Sequence, residues 1–148
     1  MTGFFSKFDF FSKKVDYGSV LIVDDDPEIR DIVKTYVESL GLFSVVVQAE
    51  NGQDALWKIG NQSFDLILLD LDMPKKDGIE LLQELSLKDD KDSTVVNIVI
   101  MSGTVSDLKL GAALTHGVKH YLIKPFNRNL FKTKIKDFIQ TKTKSLNK

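Results

Sequence analysis

The stretch Val20–Glu28, VLIVDDDPE, decides how the rest of the chain is read. Four apolar residues run straight into three adjacent carboxylates. Bunched acids repel one another, and desolvating them at the edge of a core is costly unless something cationic compensates. A proline then sets the backbone for a first helical turn. The pattern predicts a buried strand that ends in an acidic turn and feeds a helix.

Working outward, the same grammar repeats. Apolar runs occur at 20–23, 43–47, 66–69, 95–101 and 120–123, and they are near-continuous rather than alternating. That is expected of parallel strands covered on both faces. Between them Ile29, Ile32, Val33, Tyr36, Val37 and Leu40 hold one helical face, with Gly41 where a C-terminal stop belongs. Further helices fit 53–60, 78–87, 106–115 and 127–140, and Trp57 is expected in the core. Residues 87–95 read as an acidic solvent loop. Five βα units imply an α/β fold with an open, doubly wound five-stranded parallel sheet.

Such sheets bind ligands beyond the carboxyl ends of their strands. Those ends carry Asp24, Asp25 and Asp26 on strand one, Asp70 and Asp72 on strand three, Ser102 on strand four and Lys124 on strand five. Clustered carboxylates suit a hard cation such as Mg²⁺, which shares its shell with phosphate oxygens. Lysine adds a point charge for a phosphoryl group, serine a hydroxyl donor, and an aspartate can become an acyl phosphate.

In order and spacing, VDDD, LILLDLDMPKKDG, VIMSG and YLIKPF, with AENGQDAL at 49–56, resemble the receiver domain of two-component response regulators. The resemblance covers about residues 19–140. It implies the flavodoxin-like (βα)5 arrangement with strand order 2-1-3-4-5. It also implies that Asp70 accepts a phosphoryl group from a histidine kinase or histidine phosphotransferase. Asp25 and Asp70 would ligate Mg²⁺ (or Mn²⁺) directly with the backbone carbonyl of Asp72, and Asp24 directly or through water. Ser102, where threonine is commoner, and Lys124 would hold the phosphoryl oxygens, and Tyr121 would be the switching aromatic. A cis bond is expected at Pro125.

Other residues are read structurally. Asp26 is expected to cap the Pro27 helix. Pro74 and Gly78 belong to a turn and a helix start, and His116 and His120 to the surface. Two other functions share part of this pattern. A haloacid-dehalogenase-type phosphatase shares the DLD at 70–72 but carries that motif on its first strand and its metal acids late. A receiver that binds partners without phosphate is the other rival; the complete acid, hydroxyl and lysine set argues against it.

The absence of cysteine excludes disulfides and thiolate sites, and no apolar run approaches the ~20 residues of a membrane span. A cytoplasmic switch is expected that catalyses only its own phosphorylation and dephosphorylation and acts through an unidentified output protein, without nucleic acid or stable membrane insertion. No output domain is expected after the last helix. The basic end, eight Lys/Arg against Asp137 from Lys124 onward, reads as a solvated helix face and a tail at 141–148. The leader 1–18 holds five of the ten phenylalanines, and Phe4, Phe8, Phe11 and Val15 share a helical stripe. It is expected to pack on its own domain or on a homodimer mate.

Overall fold

Residues 15–73, 75–88, 94–103 and 108–146 are described by a computed structural model. Strands β1 (Ser19–Val23), β2 (Val45–Ala49), β3 (Leu66–Asp70), β4 (Ile98–Ser102) and β5 (His120–Ile123) form one sheet in the order β2-β1-β3-β4-β5. All four pairings are parallel. Helices α1 (Pro27–Leu40), α2 (Gly52–Asn61), α3 (Gly78–Lys88) and α4 (Leu108–Thr115) make the crossovers, and α5 (Arg128–Leu146) follows β5.

The central strands β3 and β4 are buried along their whole length, which is why their sequences do not alternate. Alternate residues feed two cores. Leu21, Val23, Ile67, Leu69 and Ile100 face one side, with Ala55, Leu81, Leu82, Leu85 and Leu110 from α2, α3 and α4. Val20, Ile22, Leu66, Leu68 and Met101 face the other, with Val33 and Val37 of α1 and Phe131, Ile135 and Phe138 of α5. Helix α1 starts and stops as expected. Asp26 accepts a hydrogen bond from the Glu28 amide at 2.9 Å, and Gly41 takes φ 64° at the C-cap.

Several boundaries differ from the sequence expectation. Strand β2 lies two residues later, because pairing rather than apolarity sets it: the Asp24 amide donates to the Ala49 carbonyl at 3.2 Å. Thr94–Asn97 form a 3₁₀ turn, so β4 begins only at Ile98, although Val95 is buried. Helix α5 runs to Leu146, replacing most of the expected tail. Nothing in that stretch breaks a helix, and Lys142 is anchored on Asp65, its Nζ donating to the backbone carbonyl at 3.2 Å. Trp57 is 67% exposed, not in the core. The buried stripe of α2 runs through Ala55 and Ile59, each two residues, or about 200°, away from it. His120 is half-buried, edge-on to Phe138 at 5.7 Å, rather than on the surface. Residues 1–14, Pro74 and the centre of the acidic loop lie outside the described residues. Among those described, no helix is long and apolar enough to cross a membrane.

Phe131 is fully buried where α5 meets α1, its ring 5.6 Å from Tyr36 and 6.0 Å from Phe126. Phe131→Ala should destabilise the domain by about 3–5 kcal/mol, measured by urea unfolding. A loss below about 1 kcal/mol would show that this face can collapse around the gap.

Candidate functional site

Strand register assembles the site. Val23 pairs with both Ala49 and Leu69, Asp70 with Met101, and Ser102 with Ile123. The residues that follow or end these strands therefore share one rim. On it one carboxylate oxygen each from Asp24, Asp25 and Asp70 lies within 4.8 Å of the others. Asp24 and Asp70 are buried and Asp25 is exposed.

Asp24 is held from three directions. Its Oδ2 accepts a hydrogen bond from the Lys124 Nζ at 2.7 Å, its Oδ1 one from the Asp26 amide at 3.0 Å, and its carbonyl one from Arg30 at 2.7 Å. Lys124 also approaches Asp70 Oδ1 at 3.6 Å, and the Asp72 amide donates to that oxygen at 3.1 Å. Among the described residues nothing is bonded to Asp70 Oδ2. The Lys124 amide donates to the buried Ser102 at its carbonyl, 2.6 Å away, and the Lys124-Pro125 bond is cis. Tyr121 is partly buried against the α2–α4 core, with the Lys134 ammonium 5.3 Å from its ring centre.

The loop after Asp70 is pinned at its far end. The Asp77 carboxylate accepts from the Glu80 amide at 3.0 Å and Glu80 reaches back to the Asp77 amide at 3.4 Å, a reciprocal cap that starts α3. Gly78 is required there. A Cβ at this position would lie 2.7 Å from the Asp70 carbonyl oxygen and 2.8 Å from the Leu71 Cα.

Two residues at the rim went unnoticed in the sequence. Arg30 sits in the first turn of α1, where an acid would be favoured, and that inversion was a usable signal. Lys109 reaches from α4 to Asp72 Oδ1 at 2.8 Å and Asp77 Oδ2 at 3.6 Å, a tertiary pairing that no spacing announces.

The electrostatics are lopsided. Burial, reinforced by Asp24 and Asp25, pushes the Asp70 carboxyl up to about 6; the Lys124 charge and the Asp72 amide pull the other way without winning. Burial works to lower the Lys124 ammonium, but its hydrogen bond to Asp24 and the charges of Asp70 and Asp24 outweigh it, leaving the group raised. One lysine does not neutralise three acids, two of them buried. Oxygen donors with surplus negative charge fit a hard divalent cation.

Because folded Asp70 holds its proton more tightly than the unfolded chain, its ionisation costs stability as pH rises from 3.8 through about 6. In metal-free buffer at pH 8, Asp70→Asn should be the more stable protein, by up to about 3 kcal/mol. The advantage should vanish near pH 4. Denaturant melts at both pH values would show it, and an Asp70→Asn protein less stable at pH 8 would contradict this charge balance.

Comparison with known proteins places the site in a context. The family profile for the response regulator receiver domain matches residues 20–136. The transcriptional regulatory protein MalR of Bacillus subtilis (strain 168) is 36% identical over 120 residues, covering 81% of this chain and 49% of that protein. The chain thus spans about half the length of this curated relative. A CheY-like receiver domain protein from Methanospirillum hungatei superposes with TM-score 0.75 at 29% identity, covering 88% of this chain and 98% of that one. The response regulator TrrA of Thermotoga maritima, crystallised with Mg²⁺-BeF, gives TM-score 0.66 at 31% identity, covering 82% and 98%. With the strand order, the rim and the matched segment in agreement, the chain belongs to the response regulator receiver domain family.

Proposed function

We propose that the protein is a phosphorylation switch whose phosphoryl acceptor is Asp70. The observation that carries this reading is the asymmetry of that carboxylate. Oδ1 is held by the Asp72 amide and faced by Lys124, while Oδ2 is unbonded among the described residues. Oδ2 is the attacking oxygen. It forms a bond to the phosphorus of a phosphohistidine on a histidine kinase or histidine phosphotransferase. The P–N bond breaks, and the imidazole leaves with the electron pair and takes up a proton.

Asp24, Asp25, Asp70 and the backbone carbonyl of Asp72 would hold Mg²⁺. The fit rests on three carboxylate oxygens within 4.8 Å and on the charge that Lys124 alone does not cancel. When bound, the ion supplies the positive charge that lets a phosphoryl dianion approach these acids. TrrA, crystallised with Mg²⁺-BeF, supports the same assignment here.

Lys124 counters the charge of the phosphoryl oxygens, and the Ser102 hydroxyl donates to one of them. Ser102 and Lys124 lie on β4 and at the end of β5, so their movement reaches Tyr121 and the surface of α4, β5 and α5. Phosphorylation biases an existing two-state equilibrium there. We assign the output to protein contacts on that surface and the setting to the cytoplasm. The only chemistry catalysed is the chain's own phosphorylation and dephosphorylation. MalR is a transcriptional regulator, so output directed at DNA lies within the range of the family.

Acetyl phosphate with Mg²⁺ should add one phosphate by intact mass, with none in EDTA and none in Asp70→Asn. Labelling of Asp70→Asn to the same extent would overturn the acceptor assignment. Asp25→Asn should weaken Mg²⁺ binding by roughly tenfold or more, since removing even outer-shell partners of metal ligands costs ~10–100-fold. Calorimetry reads it, because Trp57 stands on the outer face of α2 and is a poor reporter.

A further inference from the structure

At the pole opposite Asp70, where the strands begin, two adjoining cavities of about 410 and 240 Å³ share Asp16 and Phe43 and form one groove. Its walls come from the α1–β2 turn and the C-terminal half of α5, with Phe43, Phe138 and Ile139 as the apolar floor. The chain enters the fold along this groove. The Tyr17 amide donates to the Leu42 carbonyl at 2.7 Å, the Asp16 carboxylate accepts from the Gly18 and Ser44 amides, and the Tyr17 ring lies 6.3 Å from Phe43. Val15 stands at the mouth, 54% exposed.

We propose that this groove is the docking site of the chain's own residues 1–14. Three observations point to that occupant. The stripe Phe4, Phe8, Phe11 and Val15 ends on a residue that already lines the groove, so the segment begins at its own receptor. Five phenylalanines in the first 11 residues need cover, each worth ~150–250 Å² of burial, and the groove floor is aromatic and aliphatic. The charges are complementary: Lys7, Lys13 and Lys14 against Asp9 in the segment, Asp16, Glu38 and Asp65 against Lys142 in the groove. Intramolecular docking is favoured further because the tether keeps the segment at ~mM effective concentration. Docked there, the segment leaves Asp70 open and covers the base of α5. The proposal does not depend on the phosphoryl reading.

The chain has no cysteine, so an introduced pair is a clean reporter. Full-length Ser6→Cys/Thr143→Cys places one thiol in the segment, off the apolar stripe, and one on the exposed rim of the groove. Ser6→Cys/Asn129→Cys is the control at the opposite end of α5. At low protein concentration a short bismaleimide should cross-link the first pair within one molecule roughly tenfold faster than the second, as a local effective concentration requires. Val15→Asp, at a site too exposed to disturb the core, should slow it. Equal rates for the two pairs would overturn the proposal. So would cross-links found only between molecules, which would assign the groove to a second copy's segment.

Discussion

The Lys124–Asp24 contact is the constraint on which the rest of the rim depends. These residues are 100 positions apart and directly follow β1 and β5, which are separated by β3 and β4. Their 2.7 Å hydrogen bond closes only if every intervening strand ends at the right height. It also explains how Asp24 can be 1% exposed in a cluster of acids. A buried carboxylate without a partner would protonate or unfold its surroundings. With Lys124 in place, the charge that Asp24 brings is accounted for, and the excess falls on Asp70. Asp70 is held up at about 6 by burial and by the charges of Asp24 and Asp25, against the pull of Lys124. Oxygen donors arranged this way fit a hard cation, whose charge would offset the excess.

What the sequence disclosed and what it withheld follow from the range of the interactions concerned. Asp24, Asp25, Asp70, Ser102 and Lys124 were legible because each ends a buried apolar run or follows one within two residues, and parallel strands of similar length bring such ends together. The strand order followed from a resemblance carried by those same residues. Trp57 was misplaced because α2 is ten residues long and its small buried residues, Gly52 and Ala55, give a faint stripe. Val95 belonged to an apolar run yet sits in a 3₁₀ turn, since burial alone does not separate the two. Lys109 and the reach of α5 to Leu146 depend on partners 37 and 77 residues away, Asp72 and Asp65. No local pattern encodes distances of that kind.

The elements around the rim are unequally secured, and the inequality has a direction. Helix α1 is capped at both ends, and α3 begins with a reciprocal cap. Helix α4 has eight residues and buries only Leu110 and Ala113, while Leu108 is 91% exposed and Leu114 44%. Elements with little buried apolar area open and shift at lowest cost. Lys109 binds this loosely held helix to Asp72 and Asp77, residues of the very loop that follows Asp70. Both Lys109 and Asp72 are substantially exposed, so water screens the pair and each bond is weak. A weak, multiply shared ion pair on a lightly packed helix can be broken by a local change in charge. A deeply packed one would resist it. In the proposed switch a phosphoryl group on Asp70 would bring that change in charge within reach of Asp72, and α4, rather than α1 or α3, is the element with the freedom to answer it.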